Sequence, residues 1–193
     1  MELSLLEYRR FALMSLWTGL IVTVGMVFAL IPNIELITLA AFLGGVALGA
    51  RKGLIVAMVG EAIFSALNPI GSGLGFPILY AFQIISIGLS GFSGGVLSHL
   101  LRGQQNYFVV SISLGVTGFL LTLIYDTLTA LSFPLSSGMT DGTIWATFSM
   151  GLIFFVMHLV SNTVVFGLFG PGLVHLVHRQ LEMHGLMGDQ HAI

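Results

Sequence analysis

The chain has 193 residues, of which 56% are hydrophobic and only 7% are charged, and its formal net charge at pH 7 is −2. Soluble domains carry about 25% charged residues, so this composition excludes an ordinary soluble fold. The sequence contains no cysteine, which excludes disulfides, thiolate metal sites and cysteine nucleophiles. We therefore expect an all-α integral membrane protein.

Six apolar segments follow one another, separated by short polar turns or turns rich in Gly and Pro. After a lead-in of residues 1–10, they are predicted as helices at about 11–31, 34–50, 54–67, 78–101, 107–131 and 143–169. The Arg51–Gly53 segment is expected to turn the chain between the second and third helices. Gly170–Gly172 is expected to end the sixth, leaving a tail of residues 172–193. The run after Arg10 is too long for a signal peptide. We therefore predict one membrane domain, residues 1–193, with six transmembrane helices.

The positive charges give this topology a direction. All six lie at the N-terminus, the 2–3 turn, the 4–5 turn or the C-terminal tail; they are Arg9, Arg10, Arg51, Lys52, Arg102 and Arg179. With six spans these four places share one side of the membrane, and the positive-inside rule makes that side cytoplasmic. Both termini are therefore predicted to be cytoplasmic. The cation-free loops, predicted at 32–35, 68–77 and 132–142, face outward and are expected to form a lidded binding site.

Two carboxylates interrupt the apolar segments. Glu61 and Asp126 are both predicted about 8–9 Å below the outer boundary, and Glu35 opens the second segment. A charged group at the centre of a membrane helix costs about 2.5–3.5 kcal/mol, so we favour a functional role for Glu61 and Asp126 over hydrogen bonding between helices. For Thr122 and Thr129, on the same stripe as Asp126, the two roles are equally supported.

The last segment carries His158 and Asn162 on one face. The same counting places His158 roughly 13 Å from Asp126 in depth, too far for a hydrogen bond, which argues against a catalytic triad of Ser161, His158 and Asp126. Two outer carboxylates without an outer cation favour a neutral or cationic ligand, and the nearby aromatic residues favour one that contains a ring. The candidate substrate-binding residues are Glu35, Glu61, Asn68, Tyr80, Gln83, Tyr125, Asp126, Thr129, Trp145 and His158. No catalytic residue, metal site, cofactor or nucleic-acid partner is predicted.

The runs NIELITLAAFLGG, GEAIFSALNPIGSG, YDTLTAL and HLVSNTVVFGLFGP resemble the substrate-binding S components of energy-coupling factor (ECF) transporters, over nearly the whole chain. The resemblance implies uptake of a vitamin or similar micronutrient across the plasma membrane of a prokaryote. It also implies two kinds of partner, a transmembrane coupling protein and cytoplasmic ABC-type ATPases. Many members carry an A-x-x-x-A coupling stripe on helix 1, and the nearest match here is Ser15 and Gly19, the predicted docking residues.

Three alternatives stay open. The first is an intramembrane enzyme that uses Glu61 and Asp126 as an acid/base pair. The second is a structural membrane protein of the cell-wall machinery, and the third is a transporter that acts without a coupling protein.

Overall fold

The computed structural model describes residues 5–31, 34–104 and 106–186, and in these ranges the chain is all-helical without a β-strand. Six α-helices follow in order: α1 (Leu5–Phe28), α2 (Ile37–Leu48), α3 (Ala50–Leu67), α4 (Pro77–Arg102), α5 (Tyr107–Ser137) and α6 (Asp141–Met183). A short 3-10 turn, Gly73–Gly75, lies between α3 and α4. The predicted six-helix, all-α architecture is confirmed for this part of the chain. The start of the predicted lead-in, the Pro32-Asn33 turn and the tail beyond residue 186 lie outside the described residues.

Four helices are long and apolar enough to cross a membrane: α1, α4, α5 and α6. Helix α2 has only 12 residues, about 18 Å of helix, and every one of them is buried. A helix that is apolar on all sides belongs in the interior of a bundle, which is where α2 lies. Helix α1 also begins six residues before the predicted start, since its first turns lack any helix-breaking residue.

The connection between α2 and α3 differs from the predicted turn at Arg51–Gly53. The chain turns at Gly49, whose φ of 82° lies in the region that favours glycine, and α3 begins with the next residue. Arg51 and Lys52 therefore lie in the first turn of α3, at the same end of the bundle as predicted.

Small residues let α2, α3 and α4 pack with their backbones in close contact. A side chain added at Gly45 would collide with the backbone of Gly91, and one added at Gly91 would collide with the backbone of Gly53. This use of glycine is typical of membrane helix interfaces. Helices α2, α3 and α4 therefore form a closely packed group.

Two helix ends predicted from proline are wrong. Pro134 lies inside α5, so the loop predicted at 132–142 comprises only residues 138–140. Pro171 lies inside α6, which continues to Met183. Both prolines are buried, and α5 and α6 form the largest helix–helix interface of the described chain. Packing between the two helices therefore outweighs the lost backbone hydrogen bonds, as happens in membrane helices.

The positive charges gather at one end of the bundle. Arg10, Lys52 and Leu181 line one small pocket, so the start of α1, the start of α3 and the end of α6 lie together. Arg102 and Arg179 line a second pocket close by, between α4, α5 and α6. His178, which also lines the second pocket, is buried, and its ring lies 3.0 Å from the hydroxyl of Ser98, so this contact ties α6 to α4.

Candidate functional site

The opposite end of the bundle contains a cavity of about 370 Å³. It lies where α1 ends, α2 begins and α3 ends, and α4, α5 and α6 complete its walls. This volume is within the range of small-molecule sites and equals that of about 12 water molecules in the liquid. Eight of the ten predicted site residues line it: Glu35, Glu61, Asn68, Gln83, Tyr125, Asp126, Thr129 and His158.

Tyr80 and Trp145 do not line the cavity, although both were predicted to contact the ligand. The hydroxyl of Tyr80 donates instead to the backbone carbonyl of Ala62, at 3.0 Å, and so ties α4 to α3. The side chain of Trp145 is 73% exposed on the outside of α6. Helix register alone did not reveal which side of each helix faces inward.

The predicted separation of Asp126 and His158 is wrong: the Nδ1 atom of His158 lies 2.7 Å from an oxygen of Asp126, and both side chains are buried. Helix α5 runs six residues past its predicted end, so Asp126 lies eleven residues before Ser137, about 16 Å below the helix end. Helix α6 begins at Asp141, two residues before its predicted start, so His158 lies about 25 Å below that end. Helix lengths therefore still leave an offset of about 9 Å, which the relative heights of the two helix ends and the reach of the side chains make up.

The contact does not create a Ser-His-Asp triad, since no hydrogen bond joins Ser161 to His158 among the described contacts. The second ring nitrogen of His158, Nε2, faces Glu35 at 3.6 Å and the amide nitrogen of Asn162 at 3.2 Å. His158 therefore lies between two carboxylates, Asp126 on α5 and Glu35 before α2. It joins the beginning of α2 to the α5–α6 pair.

Glu35 is held in place by the first turn of α2. One of its oxygens accepts the backbone N–H of Thr38 at 2.6 Å, and the other accepts the Thr38 hydroxyl at 2.7 Å. Burial by itself would raise the pKa of Glu35, but the hydrogen bond and charge of His158 and the bonds from Thr38 outweigh it and hold this pKa below its ordinary value. Glu35 is thus a hydrogen-bond acceptor whose orientation is fixed by the first turn of α2.

A second polar chain crosses the cavity from α3 to α5. The Ser65 hydroxyl donates to the Gln83 side chain at 2.7 Å, and the Gln83 amide donates to the Tyr125 hydroxyl at 3.3 Å. The ring of Tyr125 is roughly perpendicular to that of His158, with the ring centres 6.0 Å apart. Tyr125 therefore connects this chain to the Asp126–His158–Glu35 group.

Glu61 differs from the other polar residues of the cavity. Its side chain is only 2% exposed, yet among the described residues it has no hydrogen-bond or ion-pair partner. The Oδ2 atom of Asp126 and the Oδ1 atom of Asn162 are likewise buried without a partner. Buried polar groups are normally satisfied, so the Glu61 carboxyl group, which borders the cavity, points to a contact that the described chain does not supply.

Several lining residues were absent from the sequence-based candidates. They are mostly apolar or aromatic and include Phe28, Phe64, Ile87, Phe154 and Phe155. Phe154 and Phe155 stand four and three residues before His158, so helical spacing places them on the face that carries His158, and this signal was available in the sequence. Asn162 and Thr122, joined at 2.9 Å, form the fully buried floor behind His158.

The predicted docking residues lie far from this cavity. Ser15 and Gly19 line a groove between α1 and α3 on the outside of the bundle, and a side chain added at Gly19 would meet no atom within 4 Å. Within the described chain, α1 packs against α2 and α3 alone, and it exposes Phe11 and Leu16. The face is therefore open and apolar.

Comparison of the chain with protein-family models, with curated proteins and with solved structures finds no match.

Proposed function

We propose that this protein is a membrane-embedded capture component for a small organic micronutrient, of the type represented by the S components of ECF transporters. In this proposal both termini and all six Lys and Arg residues face the cytoplasm, and the cavity faces outward. The observation that carries the proposal is the cavity lined by three carboxyl groups and aromatic side chains at the end of the bundle opposite the cations. A purely structural membrane protein would have no reason to keep Glu61 buried and unpartnered beside such a cavity.

The geometry favours binding over chemistry. An enzyme needs a group that attacks or transfers a proton to its substrate, positioned beside its partner. The predicted acid/base pair was Glu61 and Asp126, and no hydrogen bond joins these two residues; Asp126 is bonded to His158 instead. The site instead combines polar groups from several helices around an aromatic-lined space, which is the usual form of a ligand pocket.

The second part of the proposal concerns energy. The chain has no Walker A motif, so transport against a gradient requires other proteins. The exposed apolar face of α1 around Ser15 and Gly19 supplies a place for a transmembrane coupling protein, which in turn would bind cytoplasmic ABC-type ATPases. Small residues on that face allow close approach of another helix.

The experiment that tests capture is purification in detergent from native membranes, followed by mass spectrometry of co-purified small molecules. We expect one organic compound in near-stoichiometric amount, which is lost on denaturation. A preparation that is folded yet carries no organic compound, and that binds none from a growth-medium extract, contradicts the proposal. A compound that is chemically converted during incubation would establish an enzyme instead.

A further inference from the structure

The charge of the cavity restricts the chemistry of its ligand. Three carboxylates line it, from Glu35, Glu61 and Asp126, and no Lys or Arg residue does so. Among the described lining residues only His158 can carry a positive charge, and it lies between Asp126 and Glu35. Three carboxyl groups around one imidazole cannot all be ionised without a further positive charge, because uncompensated charge is costly away from bulk water.

Carboxyl groups of the cavity that have no hydrogen-bond partner indicate where a bound cation would lie. Glu61 is 2% exposed and has no partner among the described residues, although it lines the cavity. The Oδ2 atom of Asp126 is also buried and unpartnered, on the same carboxylate whose other oxygen contacts His158. The cavity thus offers the Glu61 carboxyl group as an acceptor for a bound molecule, and the Asp126 carboxyl group belongs to the same lining.

The walls around these acceptors are aromatic. Phe28, Phe64, Tyr125, Phe154 and Phe155 come from α1, α3, α5 and α6 and surround the cavity. Aromatic faces attract cations and stack on rings, whereas they offer nothing to a carboxylate or a phosphate. Among the described residues no three acidic or His side chains come together as a metal site, which favours an organic cation over a bare metal ion.

We infer that the cavity binds a small organic cation that contains an aromatic ring, with its ammonium or ring-nitrogen charge held by Glu61 and Asp126. This inference rests on the proposed capture function and names the chemical class of the captured molecule. The ring lies between the phenylalanine side chains, and Tyr125 and Gln83 remain available for one neutral hydrogen bond.

The test uses three probes with the same ring and similar size but different charge: benzylammonium, benzyl alcohol and benzoate. Binding to the full chain in lipid nanodiscs is measured by saturation-transfer NMR, with thermal unfolding as a second measurement. We expect benzylammonium to bind at least about tenfold more tightly than benzyl alcohol, as one charge-assisted contact would give, and benzoate not to bind. Equal affinity for the alcohol, preference for benzoate, or no binding of benzylammonium overturns the inference.

Two variants locate the charge. Glu61→Gln keeps the shape and removes the acidic group, so it should abolish the preference for benzylammonium while the ligand-free protein stays folded. Asp126→Asn should reduce the preference. Glu182→Gln, which removes a carboxylate at the opposite end, is the matched control and should leave the preference unchanged. If Glu61→Gln retains the full preference, Glu61 is not the charge partner and the inference fails.

The identity of the co-purified molecule separates this inference from the proposed function. A neutral or anionic micronutrient in the cavity would overturn the cationic class and leave capture standing. A folded protein without any bound or bindable micronutrient would contradict capture itself, whichever of the three probes it prefers.

Discussion

At the scale of single residues, the site depends on side chains that satisfy one another across helices. Asp126 and His158 join α5 to α6 at 2.7 Å, and Glu35, Asn162 and Thr122 extend that contact to the start of α2 and to the floor of the cavity. Such a network is worth more when complete, because each unpaired member is buried in a low-dielectric region. Single substitutions should therefore separate residues that hold the ligand from residues that hold the helices.

Asp126→Asn removes the charge and keeps the shape. We expect the affinity for the co-purified molecule to fall roughly 10- to 150-fold, since a charge-assisted hydrogen bond contributes about 1.5–3 kcal/mol. Isothermal titration calorimetry measures this loss. Unchanged affinity in a folded variant would make Asp126 a residue that only joins α5 to α6.

Tyr125→Phe and Tyr80→Phe form a matched pair. Tyr125 lines the cavity, whereas the Tyr80 hydroxyl bonds to a backbone carbonyl outside it. We expect Tyr125→Phe to weaken ligand binding, and Tyr80→Phe to leave binding unchanged while lowering the free energy of unfolding by about 0.5–1.5 kcal/mol. Titration calorimetry and denaturant unfolding distinguish the two, and a reversed pattern would mean that Tyr80 reaches the ligand and Tyr125 does not.

At the scale of helices, the packing of α2, α3 and α4 depends on residues without side chains. Gly91 is the clearest case, because an added methyl group would meet the backbone of Gly53. Backbone atoms cannot rotate away as a flexible side chain can, so the helices themselves must separate.

Gly91→Ala should therefore destabilise the protein by about 1–3 kcal/mol, the usual cost of overpacking. Gly172→Ala is the control, since nothing lies within 4 Å of the added methyl group and the helix gains about 0.5–1 kcal/mol from the lost flexibility. Thermal unfolding in detergent measures both changes. Equal melting temperatures for the two variants would show that α3 and α4 do not depend on this close contact.

Helix α1 provides the second test at this scale. Gly19→Leu fills an exposed position, so we expect the isolated protein to bind its ligand normally but to lose co-purification with a coupling protein and ATP-driven uptake. Ser113→Leu, at an exposed position on α5, is the matched control and should leave assembly intact. If Gly19→Leu loses ligand binding while assembly is unaffected, α1 belongs to the cavity. Uptake in cells without a coupling protein would contradict the proposed docking role of α1.

At the scale of the whole molecule, the two ends of the bundle differ in charge. The cations gather where α1 begins and α6 ends, and the acidic cavity lies at the other end. The proposed orientation places the first end in the cytoplasm, in agreement with the positive-inside rule.

This orientation can be measured because the chain has no cysteine of its own. Ser72→Cys and Ser137→Cys, both at exposed positions near the cavity end, should react with an impermeant thiol reagent added outside intact cells, whereas Gln104→Cys should react only after permeabilisation. Labelling of Gln104→Cys alone in intact cells would reverse the orientation.

Much of this architecture follows from the order of residues alone. The apolar runs and the turns between them predict six helices, because hydropathy and helix breakers act locally. Glu61 and Asp126 were identified by residue type, since a carboxylate inside an apolar segment is costly wherever that segment packs. The grouping of the cations followed from counting the helices between them.

Tertiary structure decided where the helices end and which side chains meet. Pro134 and Pro171 are helix breakers by local rules, yet α5 and α6 continue through both because their shared interface outweighs the lost hydrogen bonds. Asp126 lies 2.7 Å from His158 because of the relative heights of α5 and α6, and the rotation of α4 and α6 leaves Tyr80 and Trp145 outside the cavity. Contacts between segments distant in sequence depend on the relative height and rotation of the helices. Packing determines both quantities, and local residue patterns contain no information about them.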